Sequence, residues 1–185
     1  SRAERILEEM ERLIEEVRKE NERVLRENRR LIKELKEENE RILRELKRLI
    51  KEAKEIVERI RDKDTLRKIL REVLKRLKEL LDELKETNER VLRESEELSK
   101  DLRRKNEEAL RRLRKLVKDL RDDEGDEEVD ERLERLLKTA EDDSRRSDKR
   151  SEDSNRELRK VSEDSRKRLE ELLKDAERKL REDEK

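Results

Sequence analysis

Residues 2–55 write one phrase three times without a gap: RAERILEEMERLIEEVRK (2–19), ENERVLRENRRLIKELKE (20–37) and ENERILRELKRLIKEAKE (38–55). At 3.6 residues per turn, eighteen residues close five turns of an unstrained α-helix. Side chains one block apart therefore share an angular position, as Ile6, Val24, Ile42 and Ile60 do, and as Leu13, Leu31 and Leu49 do. A seven-residue repeat imposes a left-handed supercoil and an eleven-residue repeat a right-handed one. The eighteen-residue spacing asks for neither. It predicts straight, untwisted helices lying side by side.

The stripe is wide. Adjacent pairs such as Leu13–Ile14, Leu31–Ile32 and Leu49–Ile50 spread it beyond the seam of a two-stranded coiled coil, so each helix should touch two neighbours. The apolar pattern stops at Arg61-Asp62-Lys63-Asp64-Thr65, where Asp64 is the expected N-cap of a second helix. It stops again at Asp122-Asp123-Glu124-Gly125-Asp126, which holds the only glycine of the chain, suited to a helix C-cap, with Asp126 as the next N-cap. Three helices follow, at about 2–61, 65–122 and 127–182. Each has roughly 60 residues and would run ~90 Å. Helices of equal length joined by short turns run up, down and up. The expected fold is all-α: a straight, antiparallel three-helix bundle forming a single helical-bundle domain over residues 1–185.

Charged residues make up 62% of the chain and hydrophobic ones 28%, a balance that borders on disorder. Two features oppose disorder. The 57 basic and 57 acidic residues cancel, and the apolar residues are periodic rather than scattered. The same balance removes a general electrostatic reason to bind nucleic acid or an anionic membrane, and no aromatic ring is present to stack on a base. No apolar run reaches the length of a membrane span, and SRAERILEEM lacks the apolar centre of a secretory signal. Without cysteine the redox compartment is unreadable, and localisation stays unknown.

Polar residues interrupt the inward stripe at matched heights. In the third helix Ser151 falls between Leu133 and Leu169, Ser154 between Leu136 and Leu172, and Ser147 and Ser165 share the register of Val129. If facing residue numbers sum to about 125 between helices 1 and 2 and about 248 between helices 2 and 3, three polar slabs result. Asn21 meets Asn106 and Ser144 or Ser147. Asn28 meets Ser95 and Ser99 opposite Ser151, Ser154 and Asn155. Asn39 meets Thr87 and Asn88, with Ser162 and Ser165 close by. Amides and hydroxyls can both donate and accept, so such slabs are suited to closed hydrogen-bond networks. A network adds little net stability but penalises wrong registers, because an unpaired buried member costs ~1–3 kcal/mol.

Catalytic chemistry has little to work with. There is no histidine or cysteine, one glycine cannot build a phosphate loop, and the surface carboxylates read as solvated faces making i,i+4 pairs. No catalytic residue, cofactor or metal site is expected. Unbroken 18-residue registers, the absence of aromatics and cysteine, balanced Glu, Lys and Arg faces and level Asn/Ser layers together resemble computationally designed, parametrically generated helical bundles with built-in hydrogen-bond networks. That resemblance implies a structural scaffold with no enzymatic activity and no required partner. The alternative it leaves is an assembly component, self-associating or taking a helical partner through the polar third helix or through apolar edges at Leu7, Leu25 and Leu43.

Overall fold

The computed structural model describes residues 1–123 and 127–184, which form three helices: α1 (Arg2–Arg59), α2 (Lys63–Asp123) and α3 (Glu127–Glu184). No strand occurs among the described residues. The boundary expected at Gly125 and Asp126 lies outside them.

Ser1 caps α1: the Glu4 N–H donates to Ser1 Oγ at 3.3 Å, and the Glu4 carboxylate lies 3.8 Å from the Ser1 amino group. The α1–α2 connection occupies residues 60–62, the same length as expected but two residues earlier, so α1 ends and α2 begins two residues before the expected places. The cap of α2 is accordingly Asp62 and not Asp64. Asp62 Oδ1 accepts from the Asp64 N–H at 3.3 Å, and Asp62 Oδ2 accepts from the Thr65 hydroxyl at 2.6 Å. The Thr65 hydroxyl and these backbone amides hold the Asp62 carboxyl below its usual range. Two aspartates two residues apart look alike as caps in a sequence. The one three residues before a threonine wins because the Thr65 hydroxyl reaches back to donate to its carboxylate. Asp62→Ala is expected to cost about 1 kcal/mol in urea denaturation and Asp64→Ala only a few tenths, since Asp64 acts only through the helix dipole.

The chain divides into two compact units. The first contains Ser1–Arg30 and Glu94–Asn155, and the second Leu31–Arg93 and Arg156–Lys185. In each, a segment of every helix takes part, and cross-helix pairs establish direction. In the first unit Glu9 pairs with Arg112 and Glu20 with Lys105, so α1 and α2 run oppositely. Glu11 pairs with Arg132 and Arg18 with Asp143, so α1 and α3 run together. In the second unit Glu45 pairs with Arg76 and Arg41 with Glu83, while Lys36 pairs with Glu157 and Asn39 with Ser165, giving the same directions. The topology is up, down, up.

Each unit has an apolar cluster fed by all three helices. In the first, Met10, Ile14, Leu113, Leu120 and Leu133 are buried together. In the second, Ile42, Leu46, Leu77, Leu80, Leu84 and Leu169 form one cluster, and Ala53, Leu66, Leu70 and Leu180 another. Along α1, Asn21, Val24, Asn28, Leu31, Leu35 and Asn39 are all buried, five inward positions per eighteen-residue block. The repeat thus generates the core directly. Leu7, one of the three expected apolar edges, is instead packed in the first cluster, while Leu25 and Leu43 are half-buried. No large hydrophobic side chain is exposed among the described residues. None of their helices is long and apolar enough to cross a membrane.

Candidate functional site

The most organised polar feature lies in the first unit, where all three helices bring amides or hydroxyls to one level. Ser95 Oγ is 3.1 Å from Asn28 Oδ1 and bonds Asn155 Oδ1. Asn155 Nδ2 donates to Ser99 Oγ at 3.0 Å, Ser99 Oγ lies 2.5 Å from Ser151 Oγ, and Ser99 Oγ is 3.0 Å from the Ser95 carbonyl oxygen. Asn28, Ser95, Ser99, Ser151 and Asn155 are all buried.

Counting protons gives this layer a direction. A serine hydroxyl has one proton and cannot donate to two acceptors. Ser99 donates to the Ser95 carbonyl, the i−4 bond common for serine in helices. Its oxygen then accepts from both Asn155 Nδ2 and the Ser151 hydroxyl. Ser95 donates to Asn155 Oδ1, so it has no proton left for Asn28. Asn28 Nδ2, buried without a partner, meets that need. With the amide turned so that its nitrogen faces Ser95, Asn28 donates to Ser95 Oγ and every donor bond in the layer has one acceptor, while Asn28 Oδ1 takes the buried position without a partner.

The other polar positions are less complete. In the second unit Asn39 Nδ2 donates to Ser165 Oγ at 3.0 Å, and Asn88 Nδ2 reaches the Ser162 carbonyl oxygen at 3.4 Å. Oδ1 of each asparagine is buried without a partner. Ser162 and Ser165 are half-buried, and Thr87, expected beside Asn39, is half-buried as well. In the first unit Asn106 and Ser144 are buried and line one narrow gap with Ile14 and Ala140. Asn21 and Ser147 are buried and line one groove. Asn21 Oδ1, Asn106 Nδ2 and Ser147 Oγ have no hydrogen-bond partner. Ser154 is half-buried and stands outside the central layer.

The vertical match between helices falls about two residues from the sequence expectation on both seams, and Asn28 with Ser95 totals 123 rather than 125. Polar pairs between α2 and α3, such as Ser95 with Asn155 and Ser99 with Ser151, have residue numbers totalling 250 rather than 248. Ion pairs on the same seam, Arg103–Glu152 and Arg114–Glu141, total 255. The core offset is two residues, about 3 Å. The larger offset at the surface reflects long side chains leaning along the helix axis before they meet.

Among the described residues no Asp, Glu, Lys or Arg is fully buried. Glu20 is the most perturbed carboxyl, held at about 2 mainly by its hydrogen bond from Arg23, with Lys105 of α2 also donating. Because the folded value lies below the ordinary one of 4.5, Glu20 stabilises the fold fully above about pH 4.5, and the contribution is lost as pH falls towards 2. The stability difference between the parent chain and Glu20→Gln should therefore shrink steadily between pH 4.5 and 2. A difference that stays constant through that window would sink the assignment. Elsewhere, burial pushes the Asp148 carboxyl up against the opposing pull of Arg103 on α2. Exposed pairs such as Lys33–Glu37 contribute little individually.

Among the described residues, no cluster of three or more His, Cys, Asp or Glu side chains is arranged to hold a metal ion. The arrangement can fix which groups face each other across three helices.

No protein-family model matches the chain, and no curated protein is similar to it in sequence. A solved structure described as a "Computationally designed three helix bundle" is similar in fold, with a TM-score of 0.58 and 22% identity. The similarity covers 98% of this chain and 87% of that one. The two share a fold: the chain is a three-helix bundle.

Proposed function

We propose that the chain is an engineered structural scaffold without catalytic activity, whose polar layer makes its three helices accept one another in a single register. The observation that carries this reading is the five-residue layer of Asn28, Ser95, Ser99, Ser151 and Asn155, joined by directed bonds from all three helices. The similar solved structure is itself described as designed, which supports an engineered origin here.

The repeat explains why such a layer is needed. One block away from each network residue stands an apolar one: Met10 and Leu46 flank Asn28, Leu77 and Leu113 flank Ser95, and Leu81 and Val117 flank Ser99. Leu133 and Leu169 flank Ser151, and Leu137 and Leu173 flank Asn155. Filled with apolar residues throughout, the helices would pack equally well when displaced by eighteen residues. The three-residue α1–α2 connection forbids that slip within one chain, so displaced partners would come from other copies. A displaced helix would press leucine against Asn28, Ser95 and Ser99 and strand their polar groups, at ~1–3 kcal/mol each.

The test is to restore the repeat by Asn28→Leu, Ser95→Leu, Ser99→Val, Ser151→Leu and Asn155→Leu together. Buried polar networks replaced by packed apolar groups commonly leave stability unchanged or raised. This variant should therefore be at least as stable as the parent, yet form concentration-dependent oligomers in light scattering while the parent keeps one mass. If both hold the same single mass at all concentrations, register selection is not what the layer does.

A further inference from the structure

The seam between α1 and α3 opens into a groove within each unit, and the two grooves are one design advanced by eighteen residues. In the first unit a groove of about 190 Å3 lies between Arg18, Asn21 and Glu22 of α1 and Arg146, Ser147 and Arg150 of α3. In the second, a groove of about 200 Å3 has Lys36, Asn39, Glu40, Asp164, Ser165 and Arg168 at the corresponding places. The differences that matter are these. Ser165 accepts from the Asn39 amide, whereas Ser147 Oγ is buried and unpartnered; the amide oxygens of Asn21 and Asn39 are both buried without a partner. Arg146 stands where the second groove has Asp164, and Asp143 where it has Val161.

The charges follow. Arg18 is neutralised by Asp143 at 2.6 Å, a contact that raises the Arg18 pKa further. That leaves Arg146 and Arg150, one helical turn apart and both exposed, against the single carboxylate of Glu22. Beneath them sit a hydroxyl that can donate and an amide oxygen that can only accept. The volume is far above the roughly 10–15 Å3 that a single water needs.

From this placement we infer that the first-unit groove binds a small oxyanion that still carries a proton, for which inorganic phosphate is the fitting probe. The anionic oxygens accept from the Arg146 and Arg150 guanidiniums and from the Ser147 hydroxyl, and the P–OH donates to Asn21 Oδ1. Phosphate near pH 7 always has at least one P–OH. Sulfate has none, and it would set a bare oxygen against the Asn21 oxygen. The groove should therefore discriminate between two ions of nearly the same size.

The experiment is a titration of the full chain followed by backbone amide NMR at pH 7 and constant ionic strength, with sodium phosphate and sodium sulfate in parallel. Phosphate should produce saturable shifts at residues 18–25 and 143–150, with sulfate at least about tenfold weaker, the scale of one hydrogen bond to a charged group. Residues 36–43 and 161–168 of the second groove are the internal control and should not saturate. Arg146→Asp, which puts a carboxylate where the second groove has Asp164, should abolish the saturable shifts. Ser147→Ala should weaken them about tenfold while far-UV circular dichroism stays unchanged. Equal responses to the two ions, parallel shifts in both grooves from a diffuse ion atmosphere, water alone with no saturation by phosphate, or undiminished binding by Arg146→Asp would each overturn the assignment.

Discussion

Truncating Leu84 to alanine is expected to destabilise the protein by about 3–5 kcal/mol, the range for fully buried leucines whose surroundings cannot collapse. Leu84 is fully buried in the second unit, within a cluster that takes Ile42 and Leu46 from α1 and Leu169 and Leu173 from α3. Its neighbours on α2, Leu77, Leu80 and Leu81, belong to the same cluster, so no mobile segment is at hand to fill the space. For a chain of this length the melting temperature should fall by roughly 6–20 °C. Far-UV circular dichroism in urea is the suitable probe, because the chain has no tryptophan, tyrosine or phenylalanine to report by fluorescence. Leu43→Ala is the control. Leu43 lies at the half-buried margin of the same cluster and should cost about 1 kcal/mol. If the two truncations cost the same, the distinction between core and margin drawn from burial is wrong.

Asn155→Ala should cost about 2–4 kcal/mol, more than its modest size suggests, because it strands two partners at once. Ser95 loses the acceptor for its only proton, and Ser99 loses a donor to its oxygen. Part of the loss is recovered if the Asn28 amide turns over to present Oδ1 to Ser95, which can then donate its freed proton there. That recovery is itself testable: Asn155→Ala combined with Asn28→Ala should be worse than the two single losses predict, since the second substitution removes the fallback. The decisive comparison is with the five-residue apolar replacement. One deletion in the layer should weaken the protein, while exchanging the whole layer for leucine and valine should not. Measured energies in the opposite order would mean that the layer does not act as one network.

Most of the fold could be read from the chain before any coordinates. A repeat of eighteen residues determines angle: it places Ile42, Leu46, Leu84 and Leu169 inward, and it places Asn28, Ser95 and Asn155 inward with them. The breaks near Asp62 and Asp122 determine how many helices there are, and their even spacing determines that directions alternate. All of this is local. It follows from backbone periodicity and from which groups water will accept.

Axial position and proton traffic belong to the tertiary structure. Periodicity leaves the height of one helix against its neighbour open, and side-chain packing set the α2–α3 pairs two residues from the sequence expectation. The choice of Asp62 over Asp64 turned on where Thr65 could reach. Which amide meets which hydroxyl was decided the same way: Asn39 finds Ser165, whereas Asn21 and Ser147, identically spaced in the sequence, line the same groove without bonding. A hydrogen bond is made or lost within a few tenths of an ångström. A helical repeat sets position no more finely than the residue.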